Sequence, residues 1–152
     1  MSKLNWEDFK QGSVAEYGPR LVTRDEIIAF ATEFDPQPMH LDEAGRASML
    51  GGLAASGWHV CSIMMRILVD GFLGNSNSMG SPGVQEARWP APLRPGDRVS
   101  VRATVLETRA SARRPQMGFV TFLFEMFNQD GVQLMALTSP LMITRRQNPA
   151  AE

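Results

Sequence analysis

Two side chains in the segment FDPQPMH belong to types that exchange protons near neutral pH, the carboxylate of Asp35 and the imidazole of His40. Residues five positions apart point to opposite faces of a straight strand, so in such a strand they could not share one water molecule. Pro36 and Pro38 favour a bend, because each fixes its own φ and restricts the residue before it. A bend lets the two side chains converge on one cleft. The alternative is that His40 only closes a turn against Asp42.

Gly57 stands at the start of a long apolar segment, GWHVCSIMMRILVDG, that is predicted to be a helix. The first N–H of a helix has no partner within the helix and lies at the positive end of the helix dipole. Because glycine has no side chain to block approach, this N–H is a natural donor to a negatively charged oxygen. The alternative is that Gly57 only eases close packing. His59 has no metal-ligand spacing to His40, so we interpret it as structural or supporting and predict no metal site.

Helices are predicted around these residues. Thr23 and Glu26 match a capping box, and apolar residues then recur at helical spacing, which predicts a helix over residues 24–34. Asp42 predicts a short helical stretch that runs to residue 49. Over residues 57–71 apolar side chains surround the whole helical wheel, so this helix is expected to be enclosed by protein.

The second half of the chain changes to the period of strands. Apolar residues alternate with polar ones over residues 99–105 and again over residues 120–126. Asp130 and Gly131 supply a turn before a third run, residues 132–144. Residues 83–89 are a candidate for a further strand. The long strands predict an antiparallel meander.

One long apolar helix and a set of antiparallel strands predict an α+β protein with a hot-dog fold, in which the sheet wraps around the central helix. We expect a single domain over residues 1–145 and a flexible tail over residues 146–152. A single sheet of this kind leaves an open edge and one exposed side of the helix region. A second copy would cover both, so at least a homodimer is expected.

Composition excludes several classes of function. The formal net charge of −1 gives no field that attracts nucleic acid. Cys61 is the single cysteine, so neither an internal disulfide nor a redox motif is expected. Residues 1–11 lack the apolar stretch of a signal peptide, and residues 60–73 are too short and too charged to span a bilayer. These features predict a cytoplasmic protein without a membrane partner.

The sequence FDPQPMHLDEAG, followed by GGLAASGWHVCS, resembles the signature of MaoC-like hydratases and dehydratases, which include the (R)-specific enoyl-CoA hydratases. In that family an Asp is followed by Asn-Pro and then by a His five places after the Asp. Asp35, Pro38 and His40 occupy those positions here. Ser62 stands where these hydratases carry a serine five residues after the glycine that Gly57 matches.

The resemblance implies an enzyme of fatty acid metabolism that adds water to, or removes it from, an enoyl or 3-hydroxyacyl thioester. Asp35 and His40 would share the water, Gly57 would bind the thioester oxygen, and Ser62 would assist the pair. The acyl group would be carried by coenzyme A or by an acyl carrier protein. No separate cofactor is implied, because coenzyme A is then part of the substrate.

The chain departs from the family pattern in ways that bear on the substrate. Phe34 stands where the hydratases usually have Gly, and Gln37 stands where they usually have Asn. Ser56 precedes Gly57 where many have His. Together with Trp58, Phe34 and Gln37 are therefore predicted to form the walls around the reacting carbons.

A basic loop and two other functions complete the hypotheses. Arg109, Arg113 and Arg114 would bind a phosphate of coenzyme A or an acidic carrier protein, or would simply be solvated. A thioesterase on the same fold is the alternative enzyme, because fold does not fix function. A non-catalytic acyl-binding module is the third hypothesis. The Asp35 and His40 pair argues against both.

Overall fold

The computed structural model describes residues 2–42 and 50–146. Within them, five strands form one antiparallel sheet with the order β1-β3-β4-β5-β2. In chain order the elements are a 3₁₀ turn Trp6–Asp8, β1 Val14–Leu21, α1 Arg24–Phe34, α2 Pro38–Leu41, α3 Gly57–Gly71, a 3₁₀ turn Leu73–Asn75, β2 Glu86–Arg88, β3 Arg98–Ala110, β4 Met117–Phe127 and β5 Gln133–Thr144.

Local signals in the sequence set the ends of α1. Thr23 Oγ1 accepts a hydrogen bond from the Glu26 N–H at 3.2 Å, which satisfies one of the unpaired donors of the first turn. The helix ends at Phe34, two residues before Pro36. The predicted helix over residues 24–34 is therefore confirmed. The predicted stretch from Asp42 to residue 49 lies, beyond Asp42 itself, outside the described residues.

The central helix α3 packs one face against the inner side of the sheet. The buried residues of this face are Val60, Ile63, Met64, Ile67 and Leu68, and they join a core with the inward side chains of β3, β4 and β5. The opposite face of the helix is open. One chain therefore encloses α3 only in part and leaves one side exposed, as expected for a single sheet of this kind.

The open face of α3 carries a stripe of apolar side chains at helical spacing. Trp58 is 68% exposed, and Met65 and Val69 are also exposed. Positions 58, 65 and 69 lie on one side of a helix with 3.6 residues per turn. We call these three residues the α3 stripe.

The sheet confirms the three long strands and corrects the others. Side chains alternate between buried and half-buried along β4, as the sequence period predicts. The strand expected over residues 83–89 is shorter and covers only Glu86–Arg88. The strand β1 was not predicted.

The N-terminal segment packs against β4 and against the residue Arg146 that follows β5. Trp6 Nε1 donates to the Phe119 carbonyl at 3.0 Å. The Arg146 backbone N–H donates to Glu7, and the Arg146 guanidinium pairs with Asp8 at 2.6 Å. Arg146 is thus bound, although it was predicted to begin a flexible tail. The rest of that tail lies outside the described residues. None of the helices in the described ranges is long and apolar enough to cross a membrane.

Candidate active site

Asp35 and His40 meet because the chain turns back between α1 and α2. The Asp35 N–H still bonds to the Ala31 carbonyl at 2.8 Å, and the Gln37 N–H then bonds to the Asp35 carbonyl at 2.8 Å. Pro38 occupies the first turn of α2, where its missing N–H costs nothing. His40 therefore returns toward Asp35, and its Nε2 lies 3.4 Å from Asp35 Oδ2. The predicted convergence is confirmed.

The His40 ring is held in one orientation. The side chain is buried, and its Nδ1 lies 2.7 Å from the Ala54 carbonyl oxygen. Because a carbonyl only accepts hydrogen bonds, Nδ1 carries a proton, and in the neutral ring Nε2 is an acceptor. Nε2 and Asp35 Oδ2 are then two acceptors that face each other. A water molecule that donates to both would satisfy both.

Asp35 is kept ionised by its neighbours. The Ser56 hydroxyl is the largest influence that lowers the pKa of this carboxyl, and the Gln37 side chain comes next. Gln37 Nε2 donates to Asp35 Oδ1 at 2.6 Å. His40 adds a smaller lowering effect on the pKa, and partial burial opposes all three. Asp35 is therefore a carboxylate at neutral pH, with Oδ1 occupied by Gln37 and Oδ2 turned to His40.

Gly57 is packed tightly by an aromatic ring. Trp89 Nε1 donates to the Gly57 carbonyl at 3.1 Å. A Cβ at Gly57 would lie 3.0 Å from Cε2 of that ring, which is closer than side-chain carbons normally pack. Close packing therefore favours a glycine here. As the first residue of α3, Gly57 also has an N–H without an intrahelical acceptor, and its role as an oxyanion donor stays a prediction.

A cavity of about 470 Å³ opens beside the pair. His40 and Gly57 form part of its wall. Every other described residue of the lining is apolar: Met39, Leu50, Ala54, Ala55, Val60, Trp89, Pro90, Ala91, Pro92 and Leu93. Cavities of this kind bind an apolar group and orient it with a few polar contacts at one end. Among the described lining residues, His40 supplies a polar side chain and Gly57 its backbone N–H.

Of the residues predicted to form the walls, Gln37 contacts the pair, and Phe34 and Trp58 do not. Phe34 is 66% exposed and packs on Phe30, with ring centroids 5.1 Å apart. Trp58 projects outward from α3 and forms a T-shaped contact with Trp89, with ring centroids 6.0 Å apart. Neither lines the cavity. In one chain Trp58 is thus neither a pocket wall nor a core residue, because it stands on the face of α3 that points away from the sheet.

Ser62 also lies apart from the pair. Its Oγ donates to the Trp58 carbonyl at 2.9 Å, and the residue is exposed on α3. Serines within helices often bond back to the preceding turn in this way. The serine that lowers the pKa of Asp35 is Ser56, which the sequence marked only as a departure from the family pattern. Trp89 was also missed, because nothing local indicates that it contacts a residue 32 positions earlier.

The remaining candidates lie outside the cavity. The Arg109 guanidinium stacks on the Phe119 ring at 4.4 Å, and Arg113 and Arg114 line a shallow cavity of about 240 Å³ at the β3–β4 turn. His59 stacks on Phe30 at 4.6 Å, and burial lowers its pKa. Across the part of the chain that the structure covers, no three acidic, histidine or cysteine side chains are grouped to hold a metal ion.

The matching family model, described as a MaoC like domain, covers residues 9–121 and includes Asp35, His40 and Gly57. The chain belongs to the MaoC-like dehydratase family. The MaoC-like dehydratase from Rhodospirillum rubrum is 42% identical in sequence, with a TM-score of 0.89 over 95% of this chain and 99% of that one. The uncharacterized protein YdeM from Bacillus subtilis is 28% identical over 93% of this chain and its own full length.

A more distant structure shows the fold. The Mycobacterium tuberculosis protein Rv0216, described as having a double hotdog fold, is 16% identical, with a TM-score of 0.80. The match covers 96% of this MaoC-like chain and 46% of that chain. The predicted α+β hot-dog fold is therefore confirmed.

Proposed function

We propose that this MaoC-like protein is a hydratase or dehydratase that interconverts an enoyl thioester and a 3-hydroxyacyl thioester. Membership of the family supports a hydro-lyase in broad terms. The observation that carries the proposal is the approach of His40 Nε2 to Asp35 Oδ2 at 3.4 Å, with the opposite ring nitrogen fixed by Ala54. The acyl carrier is coenzyme A or an acyl carrier protein, and no other cofactor takes part.

In the hydration direction, one water molecule lies beside the pair and donates to both Nε2 and Oδ2. Its oxygen adds to the β-carbon of the enoyl group, and the pair takes one of its protons. The pair then delivers a proton to the α-carbon, so that H and OH are added across the double bond and the enzyme returns to its starting state. Dehydration follows the same path in reverse. Because the pair holds the water and the acid in place, the entropy cost of bringing them together is lower in the reaction itself.

The other two parts of the site bind the substrate. While the β-carbon is attacked, negative charge develops on the thioester oxygen, and the Gly57 N–H at the start of α3 donates to it. The acyl chain occupies the apolar cavity that His40 and Gly57 border. Metal chemistry has no step in this proposal.

The active form in this proposal is a homodimer. The α3 stripe is exposed, and β2 lies at the edge of the sheet with β5 as its single described neighbour. A second copy that pairs along β2 would cover both features. The double hot-dog protein holds two such units in one chain, which supports this arrangement. The protein is located in the cytoplasm in this proposal, because a single cysteine without a disulfide partner is typical of a reducing compartment.

An absorbance assay tests the proposal. Crotonyl-CoA and longer or branched enoyl-CoAs are mixed with the protein, and the loss of enoyl thioester absorbance is followed. We expect turnover of at least one of them without release of free thiol. Release of free thiol in step with the absorbance change would indicate the thioesterase instead. The absence of any change across this panel, and with the same enoyl groups on an acyl carrier protein as a second panel, would favour the non-catalytic acyl-binding module.

A further inference from the structure

Ser56 is a buried serine whose hydroxyl lacks a hydrogen bond. The residue is 0% exposed, and its Oγ finds no partner with hydrogen-bond geometry among the described residues. It occupies the N-cap position of α3, yet its side chain does not cap the helix. A buried hydroxyl without an acceptor destabilises the protein by about 1–3 kcal/mol. This cost indicates a second task for the side chain.

The backbone on both sides of Ser56 is fixed. The Ala54 N–H bonds to the Met39 carbonyl at 3.0 Å, and the Ala55 N–H bonds to the Leu93 carbonyl at 3.0 Å. The Ser56 carbonyl accepts from the Val60 N–H at 3.0 Å. These bonds restrain the main chain, so Ser56 can reach a new partner by rotation about its Cα–Cβ bond.

Asp35 is the neighbouring acceptor that the Ser56 hydroxyl influences most clearly. Gln37 occupies Asp35 Oδ1, and Oδ2 lies opposite His40, but each carboxylate oxygen has two lone pairs. Of all the neighbours of Asp35, the Ser56 hydroxyl lowers the pKa of the carboxyl most. Rotation about the Ser56 Cα–Cβ bond would bring Oγ into position for a charge-assisted hydrogen bond to Asp35.

We propose that Ser56 is a positioning residue, whose hydroxyl donates to the Asp35 carboxylate and holds Oδ2 opposite His40 Nε2. This inference rests on the proposed hydratase function. Residues 54–57 then contact every part of the site. The Ala54 carbonyl orients His40, and Ser56 orients Asp35. Gly57, the next residue, is the oxyanion donor. Ser56, and not Ser62, is the serine that serves the pair.

Kinetics of Ser56→Ala test this role. Since a lost hydrogen bond to a charged group corresponds to roughly tenfold or more, we expect kcat to fall by about that factor. We expect KM to change less than about twofold, because Ser56 does not line the cavity. Ser76→Ala is the matched control, since Ser76 is also buried and its hydroxyl bonds to Leu73 at 2.7 Å. An unchanged kcat in Ser56→Ala, or a larger loss in Ser62→Ala, would overturn the proposal.

Nuclear magnetic resonance gives a second measurement that does not require turnover. The ¹³C signal of the Asp35 carboxyl is titrated in the wild type, Ser56→Ala, Ser56→Thr and Ser76→Ala, with a melting curve for each. We expect the Asp35 pKa to rise toward its ordinary value in Ser56→Ala and to stay low in Ser56→Thr, which keeps a hydroxyl. An unchanged Asp35 pKa in a folded Ser56→Ala would contradict the proposal. A wild type that is inactive on every thioester, with the expected Asp35 shifts, would refute the hydratase function and leave the Ser56 contact standing.

Discussion

At the scale of single residues, the proposed mechanism makes Asp35 and His40 one unit, because both bind the same water in it. We expect Asp35→Asn and His40→Gln each to leave the fold intact and to lower hydration at least about a hundredfold, the scale for losing a positioned acid or base. The double variant should be little slower than either single one, since groups that work together are not additive. Initial rates with an enoyl-CoA measure this. Losses that multiply would show that the two residues do not share a water.

Cys61 provides a second prediction at this scale. Burial raises the pKa of its thiol, and its Sγ lies 3.6 Å from the Met135 Sδ. A raised pKa leaves less of the reactive thiolate at neutral pH. The thiol should therefore react slowly with a thiol reagent at any pH below the usual pKa range of cysteine. We also expect Cys61→Ala to keep its activity. Rapid modification of the native protein with loss of turnover would refute this prediction.

At the scale of elements, the ends of α1 and α3 were predictable from the sequence because local chemistry sets them, whereas the short helix α2 was not predicted. The Thr23 cap and the prolines after Phe34 define α1, and Gly57 and Gly71 bound α3. The strand β1 gave no comparable signal. It is exposed along most of its length, and Gly18 with Pro19 interrupts its pairing with β3, so neither an alternating pattern nor a turn marked it.

The candidate site was predictable only where the motif is continuous in sequence. Asp35 and His40 are five residues apart, and two prolines between them indicated the bend. The contact of Trp89 with Gly57 joins a loop after β2 to the start of α3, and no local pattern encodes it. The contribution of Ser56 likewise depends on how the segment before α3 packs against α2. Tertiary packing, which periodicity does not specify, decided both.

The loop after β2 gives a prediction about the substrate. Trp89, and not Trp58, lines the cavity beside the pair, so Trp89 is expected to limit the length of the acyl chain. A packed wall cannot accept extra methylenes without strain. We expect enoyl-CoAs beyond about eight carbons to react poorly in the wild type and better in Trp89→Ala. Turnover measured against chain length tests this.

Two variants control that experiment. Trp58→Ala removes a ring of the same size that does not line the cavity, so its profile of turnover against chain length should match the wild type. Trp89→Phe keeps most of the ring but loses the hydrogen bond to the Gly57 carbonyl, which separates the volume of the wall from its support of α3. A chain-length profile that changes in Trp58→Ala and not in Trp89→Ala would contradict the assignment.

At the scale of the whole molecule, the α3 stripe predicts the assembly. Met65 is 43% exposed on the stripe, and Leu106 is 42% exposed on β3, so a substitution at Leu106 is a matched control for one at Met65. If a second copy covers the stripe, burying an arginine at position 65 is costly, so Met65→Arg should yield monomers with lower activity. Leu106→Arg should keep the dimeric mass. Light scattering coupled to size-exclusion chromatography measures both, and a monomeric wild type would refute the dimer.

The fate of the water oxygen tests the central claim most directly. The protein is incubated with an enoyl-CoA in H₂¹⁸O, and the products are analysed by mass spectrometry, with the Asp35→Asn/His40→Gln variant as the control. If Asp35 and His40 activate water for addition to the β-carbon, the label appears in the hydroxyl of a 3-hydroxyacyl-CoA and the thioester stays intact. In the variant this product should be strongly reduced. Label in a free carboxylic acid, with release of coenzyme A, would contradict the account.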